Sequence, residues 1–192
     1  MCGRMSFGQP SPFNQTFKTR LKPRYNIGPG QRITALNQNS ELTEGNWGVH
    51  SSQGHFWINA RWESWAKKPA FQQCTLVWIP THGWYEWKTE AQRKIPYYFH
   101  TSQAWFWVAG LMHKEQIVVL TQQAQKEISH IHDRMPLMHP PTIQPHQNLE
   151  DISTTLLDSL NYYTVSTQVN KSSFEGPACI EPVDYPTQTS LF

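Results

Sequence analysis

The sequence predicts an α+β fold: a β-rich single domain whose sheets curl into a barrel-like body with a few peripheral helices. Two observations carry this. Six short runs of β-branched and aromatic residues read as strands: "HFWINA" (55–60), "CTLVWI" (74–79), "IPYYFH" (95–100), "AWFWVAG" (104–110), "QIVVLT" (116–121) and "YYTVS" (162–166). Turn-forming residues, among them Pro80, Gly83, Pro96 and Gly110, read as the breaks that separate the runs. Helical periodicity is confined to two places. In "PHQNLEDISTTLLDSLN" (145–161), Leu149, Ile152, Leu156, Leu157 and Leu160 share one face, Asn148 serves as N-cap, and Glu150 and Asp151 sit in the first turn. A second, weaker helix is expected through "QQAQKEIS" (122–129).

Length and composition set the frame for those elements. At 192 residues, 38% hydrophobic and 16% charged, the chain is globular, with residues 1–192 read as one domain ending in a short tail. No apolar run approaches the roughly 20 residues of a membrane span, and the first residues lack the apolar segment of a secretory signal. Cys2, Cys74 and Cys179 are odd in number, far apart and without a CxxC pair, which argues against a disulfide framework and for a reducing cytoplasm. Charge is unevenly spread: 12 Lys and Arg face 5 Asp and Glu in residues 1–100, and 4 face 9 in residues 101–192. The basic first half suits an anionic partner. Most of the nine tryptophans are read as core, and any exposed beside arginine could stack unpaired bases.

The chemistry begins at "MCGRM". Removal of Met1, expected before a small second residue, makes Cys2 the terminus and gives it a free α-amine and a thiol on adjacent carbons. The amine titrates near pH 8, so at neutral pH a useful fraction is nucleophilic (roughly, from reference values). It can condense with an aldehyde to a Schiff base, which the neighbouring thiol closes into a five-membered thiazolidine. In "GWYEW", a strand would put Trp84 and Glu86 on one face, and a carboxylate beside an indole favours its protonated form. Asn59 and Arg61 in "INAR" would share a strand face. Asn59 suits hydrogen bonding to substrate or the Cys2 amine, and Arg61 suits gripping a phosphate. Arg4, two residues from the nucleophile, suits a phosphate beside the reacting sugar. His132 in "IHDRMP" titrates near neutrality. Asp133 follows it and in extended backbone would point the opposite way. His130, His132, His139 and His146 are close in sequence, yet no thiol or carboxylate pattern completes a metal site, and none is expected.

The ordered set "MCGR", "RYNIGPGQ", "WGV", "INAR", "GWYEW" and "IHDRMP" resembles the SOS response-associated peptidase family, also called abasic-site processing proteins, from Cys2 to about Val183. The resemblance implies a protein that covalently caps abasic sites in single-stranded DNA through Cys2, without cofactor, as a monomer working in the cytoplasm on nucleoid DNA. It implies Glu86 as acid and base for sugar-ring opening and His132 as an active-site histidine beside Asn59. It implies DNA contacts from Asn26 and Pro29 in the glycine- and proline-shaped loop, and from Thr121. Self-processing and weak strand-cleaving lyase chemistry come with it. His82 stands where many relatives carry aspartate. Only eleven residues separate Trp47 from Asn59, so the family's base-splitting aromatic wedge is expected to be reduced, or replaced by Trp57 or Trp62. Two other functions remain open: a peptidase or amidase in which Cys2 attacks an amide while Asn59 holds the oxyanion, and a non-covalent single-strand binding module.

Overall fold

The computed structural model describes residues 2–50, 54–90, 92–142 and 159–185. Fifteen strands and one α-helix of those residues fall in the order β1 (Arg4–Phe7), α1 (Ser11–Phe17), β2 (Arg24–Ile27), β3 (Arg32–Leu36), β4 (Leu42–Trp47), β5 (Val49–His50), β6 (Phe56–Trp57) and β7 (Asn59–Arg61). There follow β8 (Thr75–Thr81), β9 (Gly83–Glu90), β10 (Arg93–His100), β11 (Phe106–His113), β12 (Gln116–Gln123), β13 (Arg134–Pro136), β14 (Met138–His139) and β15 (Asn161–Thr164). Each of the six strand-like runs contributes to a strand, with 55–60 split between β6 and β7, and the α+β, barrel-like expectation is met.

The middles of strands β8, β11 and β12 are buried at successive positions because both of their faces are covered, so they do not alternate. The ring β12–β4–β3–β8–β11 closes when β11 pairs again with β12, which leaves that barrel no open edge. Trp47, Trp78, Trp107, Val118 and Leu120 on its strands belong to the buried core. A second sheet, in the order β15–β10–β9–β1–β2, lies beside it. α1 drops Phe13 into an aromatic cluster with Phe7, Phe17, Trp105 and Trp107, at ring separations of 4.4–5.6 Å. Five of the nine tryptophans are buried and the other four half-buried, so the core claims most of them, as expected.

Several local readings need correction. Pro80, Gly83, Pro96 and Gly110 lie inside strands. Each proline is tolerated because its missing N–H falls where the next strand has ended: β3 pairs with β8 only through Leu36 and Trp78, and the β15 ladder on β10 begins at Tyr97. Gly83 serves close approach, since a Cβ there would sit 2.3 Å from the Phe99 carbonyl oxygen and 2.4 Å from the Tyr98 ring. "QQAQKEIS" is no helix. β12 claims Gln122 and Gln123, and isolated turns such as Ser129 N–H to the Gln125 carbonyl (2.9 Å) finish the segment. The helix expected over 145–161 lies outside the described residues, apart from its last three, of which Asn161 begins β15.

Candidate active site

β1 runs antiparallel to β9, with Arg4 opposite Tyr85 and Met5 opposite Trp84, and this register carries the chain start out beside Glu86. There Cys2 is fully buried, and Asn59 from β7 donates its Nδ2–H to the Cys2 carbonyl at 2.8 Å. The Oδ1 of Asn59 is buried with no hydrogen-bond partner among the described residues, an acceptor beside the residue that would become the terminus. Burial first, then the Glu86 carboxylate, push the Cys2 thiol well above its ordinary range, so at neutral pH it is a thiol and not a thiolate.

Trp84 and Glu86 share a face of β9, as the alternation predicts, and both are buried. Burial pushes the Glu86 carboxyl up to about 7, and Asp133 adds to the rise. A group so poised can both give and take a proton near neutrality. His132 brings Nε2 to 4.0 Å from Glu86 Oε2. Its Nδ1 can accept the Arg134 backbone N–H at 3.0 Å when the ring is neutral, or face Asp133 Oδ1 when it is protonated, and Nε2 is turned towards Glu86. Burial lowers the His132 imidazole, favouring that neutral form. Asp133 does reach its neighbour, with Oδ1 3.0 Å from His132 Nδ1, because the backbone there turns and is not extended. An open cleft of about 520 Å³, lined by Gly3, Arg4, Glu86, Trp87, Lys94 and His132, leads to this group.

Four sequence-derived residues, Cys2, Asn59, Glu86 and His132, thus come together, and Arg4 stands on the cleft wall. Arg61, exposed on the same face of β7 as Asn59, and Pro29 lie outside the residues lining that cleft. Pro29 occupies the second position of a turn in which Gln31 N–H meets the Gly28 carbonyl at 3.3 Å and Gly30 takes φ +83°. Trp57 leans on Phe71, ring centres 5.4 Å apart, and is half-buried. His82 turns away from Glu86: its Nδ1 accepts the Gln9 amide at 3.3 Å and its ring stacks on Phe7 at 4.7 Å.

Asn26 and Thr121 do not present their side chains to DNA; both are buried. Thr121 donates to the Ala60 carbonyl at 3.3 Å. Asn26 Nδ2 donates to the carbonyls of Val169, Lys171 and Phe174 at 3.1, 3.0 and 2.8 Å, while Oδ1 accepts from Arg4 Nη1 at 2.8 Å. It therefore ties the 169–174 segment to β2 and aims Arg4. Asn26→Ala is expected to lose about 3 kcal/mol, because several buried groups are left unsatisfied. That lowers the melting temperature by roughly 10 °C for a chain of this size, and a thermal melt showing no shift would contradict it.

Sequence reasoning assigned no role to Arg134 or Glu63. Arg134 grips both Glu63 oxygens, at 2.8 and 2.9 Å, and donates to the Thr121 carbonyl at 2.5 Å, which pins the His132 loop to the segment after β7. Arg134 sits in the quoted "IHDRMP", but its partner lies 71 positions away, and nothing local announces the pairing.

Comparison with known proteins identifies the family. A family model described as "SOS response associated peptidase (SRAP)" matches residues 1–172. The chain belongs to this family. It is 30% identical to the abasic site processing protein YoaM of Bacillus subtilis, over 80% of this chain and 82% of that protein. It is 29% identical to YoqW of the same organism, over 94% and 99%. Among solved structures, a Bacteroides thetaiotaomicron protein superposes with a TM-score of 0.75 at 18% identity, covering 95% of this chain and all of that one, which shows a shared fold. Among the described residues of this SRAP chain, no group of three or more His, Cys, Asp or Glu is placed to hold a metal ion, and no helix is long and apolar enough to cross a membrane.

Proposed function

We propose that this SRAP-family protein recognises abasic sites in single-stranded DNA and caps them covalently through Cys2. The observation that carries the reading is residue two of the chain, buried and held by Asn59 next to a carboxyl raised to about 7. The names of its curated relatives, abasic site processing proteins, support the same substrate.

An abasic sugar opens to an aldehyde at C1′. After Met1 is removed, the Cys2 amine adds to that carbon, and loss of one water gives the imine. The thiol sulfur then bonds to C1′ while its proton passes to the imine nitrogen, closing the thiazolidine. The sum is one aldehyde plus one aminothiol giving one ring and one water. Glu86, protonated or ionised with nearly equal ease at neutral pH, can protonate the departing hydroxyl and accept the thiol proton. His132 Nε2 lies 4.0 Å from Glu86 and can exchange a proton with it, and Asn59 Oδ1 can receive an amine hydrogen. Arg4 and Lys94 on the cleft wall suit the flanking phosphates. An imine that escapes ring closure acidifies C2′ and allows weak β-elimination.

The raised thiol pKa disfavours a peptidase that attacks with a preformed thiolate, though not one in which the Cys2 amine serves as base. Amine-first chemistry asks the thiol only for a later intramolecular closure. The test is a denaturing gel of Met1-processed protein with an oligonucleotide carrying one abasic site. A heat-stable band shifted by the protein's mass is expected with single-stranded DNA. Retardation on a native gel alone would leave a binding module, and peptide release without adduct would favour the peptidase.

A further inference from the structure

The face of β9 and β10 that holds Glu86 does not end at the active site. Tyr97 is the direct cross-strand partner of Glu86 and lies on the same face. Beyond it, Tyr162 of the edge strand β15 leans on buried Phe99, ring centres 5.4 Å apart at 33°, and stands 6.1 Å from Tyr97. His130, two residues before His132, brings its ring to 6.0 Å from Tyr162. The aromatic row is therefore joined to the active site twice, through β-sheet register and through the His132 loop. Tyr162 is 38% exposed, one of only two large apolar side chains so exposed among the described residues, the other being Phe56 on the far hairpin. Because its inner side rests on Phe99, the exposed part is the side turned from the sheet. Lys88 on the same face is paired with Glu90 at 2.7 Å.

We infer that Tyr162, with Tyr97 and His130 beside it, is a stacking shelf for the unpaired nucleobase adjacent to the reacting abasic sugar. The inference rests on the DNA reading above and extends it to a subsite. The exposed Tyr162 ring, with the Tyr97 and His130 rings set at 59° and 60° to it as side walls, matches the face of a base rather than a phosphate, for which the cleft wall already offers Arg4 and Lys94. Every base has a π-face, so such a shelf would hold any sequence and would favour single strands, whose bases are free to leave the duplex stack.

The test uses the full chain and oligonucleotides carrying tetrahydrofuran, an abasic analogue that cannot open to an aldehyde, so binding is read without crosslinking. One single strand carries a lone tetrahydrofuran. A second carries three in a row, so that neither neighbour of the central sugar has a base. Fluorescence anisotropy is expected to show wild type binding the first about ten-fold more tightly. Tyr162→Ala should lose most of that preference, and Tyr162→Trp should keep it. Should Tyr162→Ala melt early, Tyr162→Ile preserves the strand and lacks the ring, and it too should lose the preference. Equal affinity of wild type for both strands, or full preference retained by Tyr162→Ile, overturns the shelf. Failure of wild type to crosslink natural abasic DNA would instead strike the covalent reading, which these analogues do not probe.

Discussion

Cys2→Ser protein is expected to form no heat-stable adduct with abasic single-stranded DNA, although its amine still condenses with the aldehyde. Serine keeps the terminal amine, so the imine forms and borohydride should trap it as a reduced, permanent link. Without reductant the hydroxyl can close only an oxazolidine, which hydrolyses readily, and the band should vanish on heating. Intramolecular closure by the correctly placed thiol provides the difference, on the order of a hundred-fold or more in surviving adduct. A chain that retains Met1 should fail differently. Its Cys2 nitrogen is an amide, no imine can form, and borohydride should trap nothing. The pair of outcomes isolates each half of the aminothiol. A serine variant giving a heat-stable band without reductant would exclude ring closure, and a Met1-retaining chain giving a trapped adduct would move the nucleophile elsewhere.

Much of this site was legible before the fold. Period-two alternation placed Trp84 and Glu86 on one face and predicted a raised carboxyl, and the position of Cys2 pointed to a terminal aminothiol. What was hidden depends on the third dimension. Asn26 sits in a turn-like, polar stretch that reads as surface, yet β2 buries it against carbonyls some 143–148 positions later, and a sequence has no signal for such a pairing. Prolines 80 and 96 read as breaks because local propensity ignores which neighbouring strand has already ended. The contact of Asp133 with His132 was missed because the extended-chain assumption fails where the backbone turns. In each case the local rule held and tertiary context chose the exception.

Glu86→Gln is expected to make the protein a poorer reagent and, at alkaline pH, a more stable fold. The side chain is 3% exposed and its carboxyl stands at about 7, against about 4.3 for an unfolded chain. A folded pKa raised above the unfolded one means that the stability contribution is fully present below about pH 4 and is lost as pH rises through 7. The span corresponds to about 3 kcal/mol lost by wild type between pH 4 and 8. Glutamine cannot ionise, so urea denaturation should show the variant gaining on wild type by about that amount across the same window. Adduct formation should meanwhile slow by on the order of a hundred-fold, the usual worth of a positioned acid and base. Its pH profile should lose the inflection near 7. These two effects have opposite signs and one cause, burial of a carboxyl whose proton must come and go. A variant that reacts slowly yet shows the wild-type pH dependence of stability would place the raised pKa on another group. One that keeps the wild-type rate, with the inflection gone, would mean that Glu86 shapes the cleft without handling the proton.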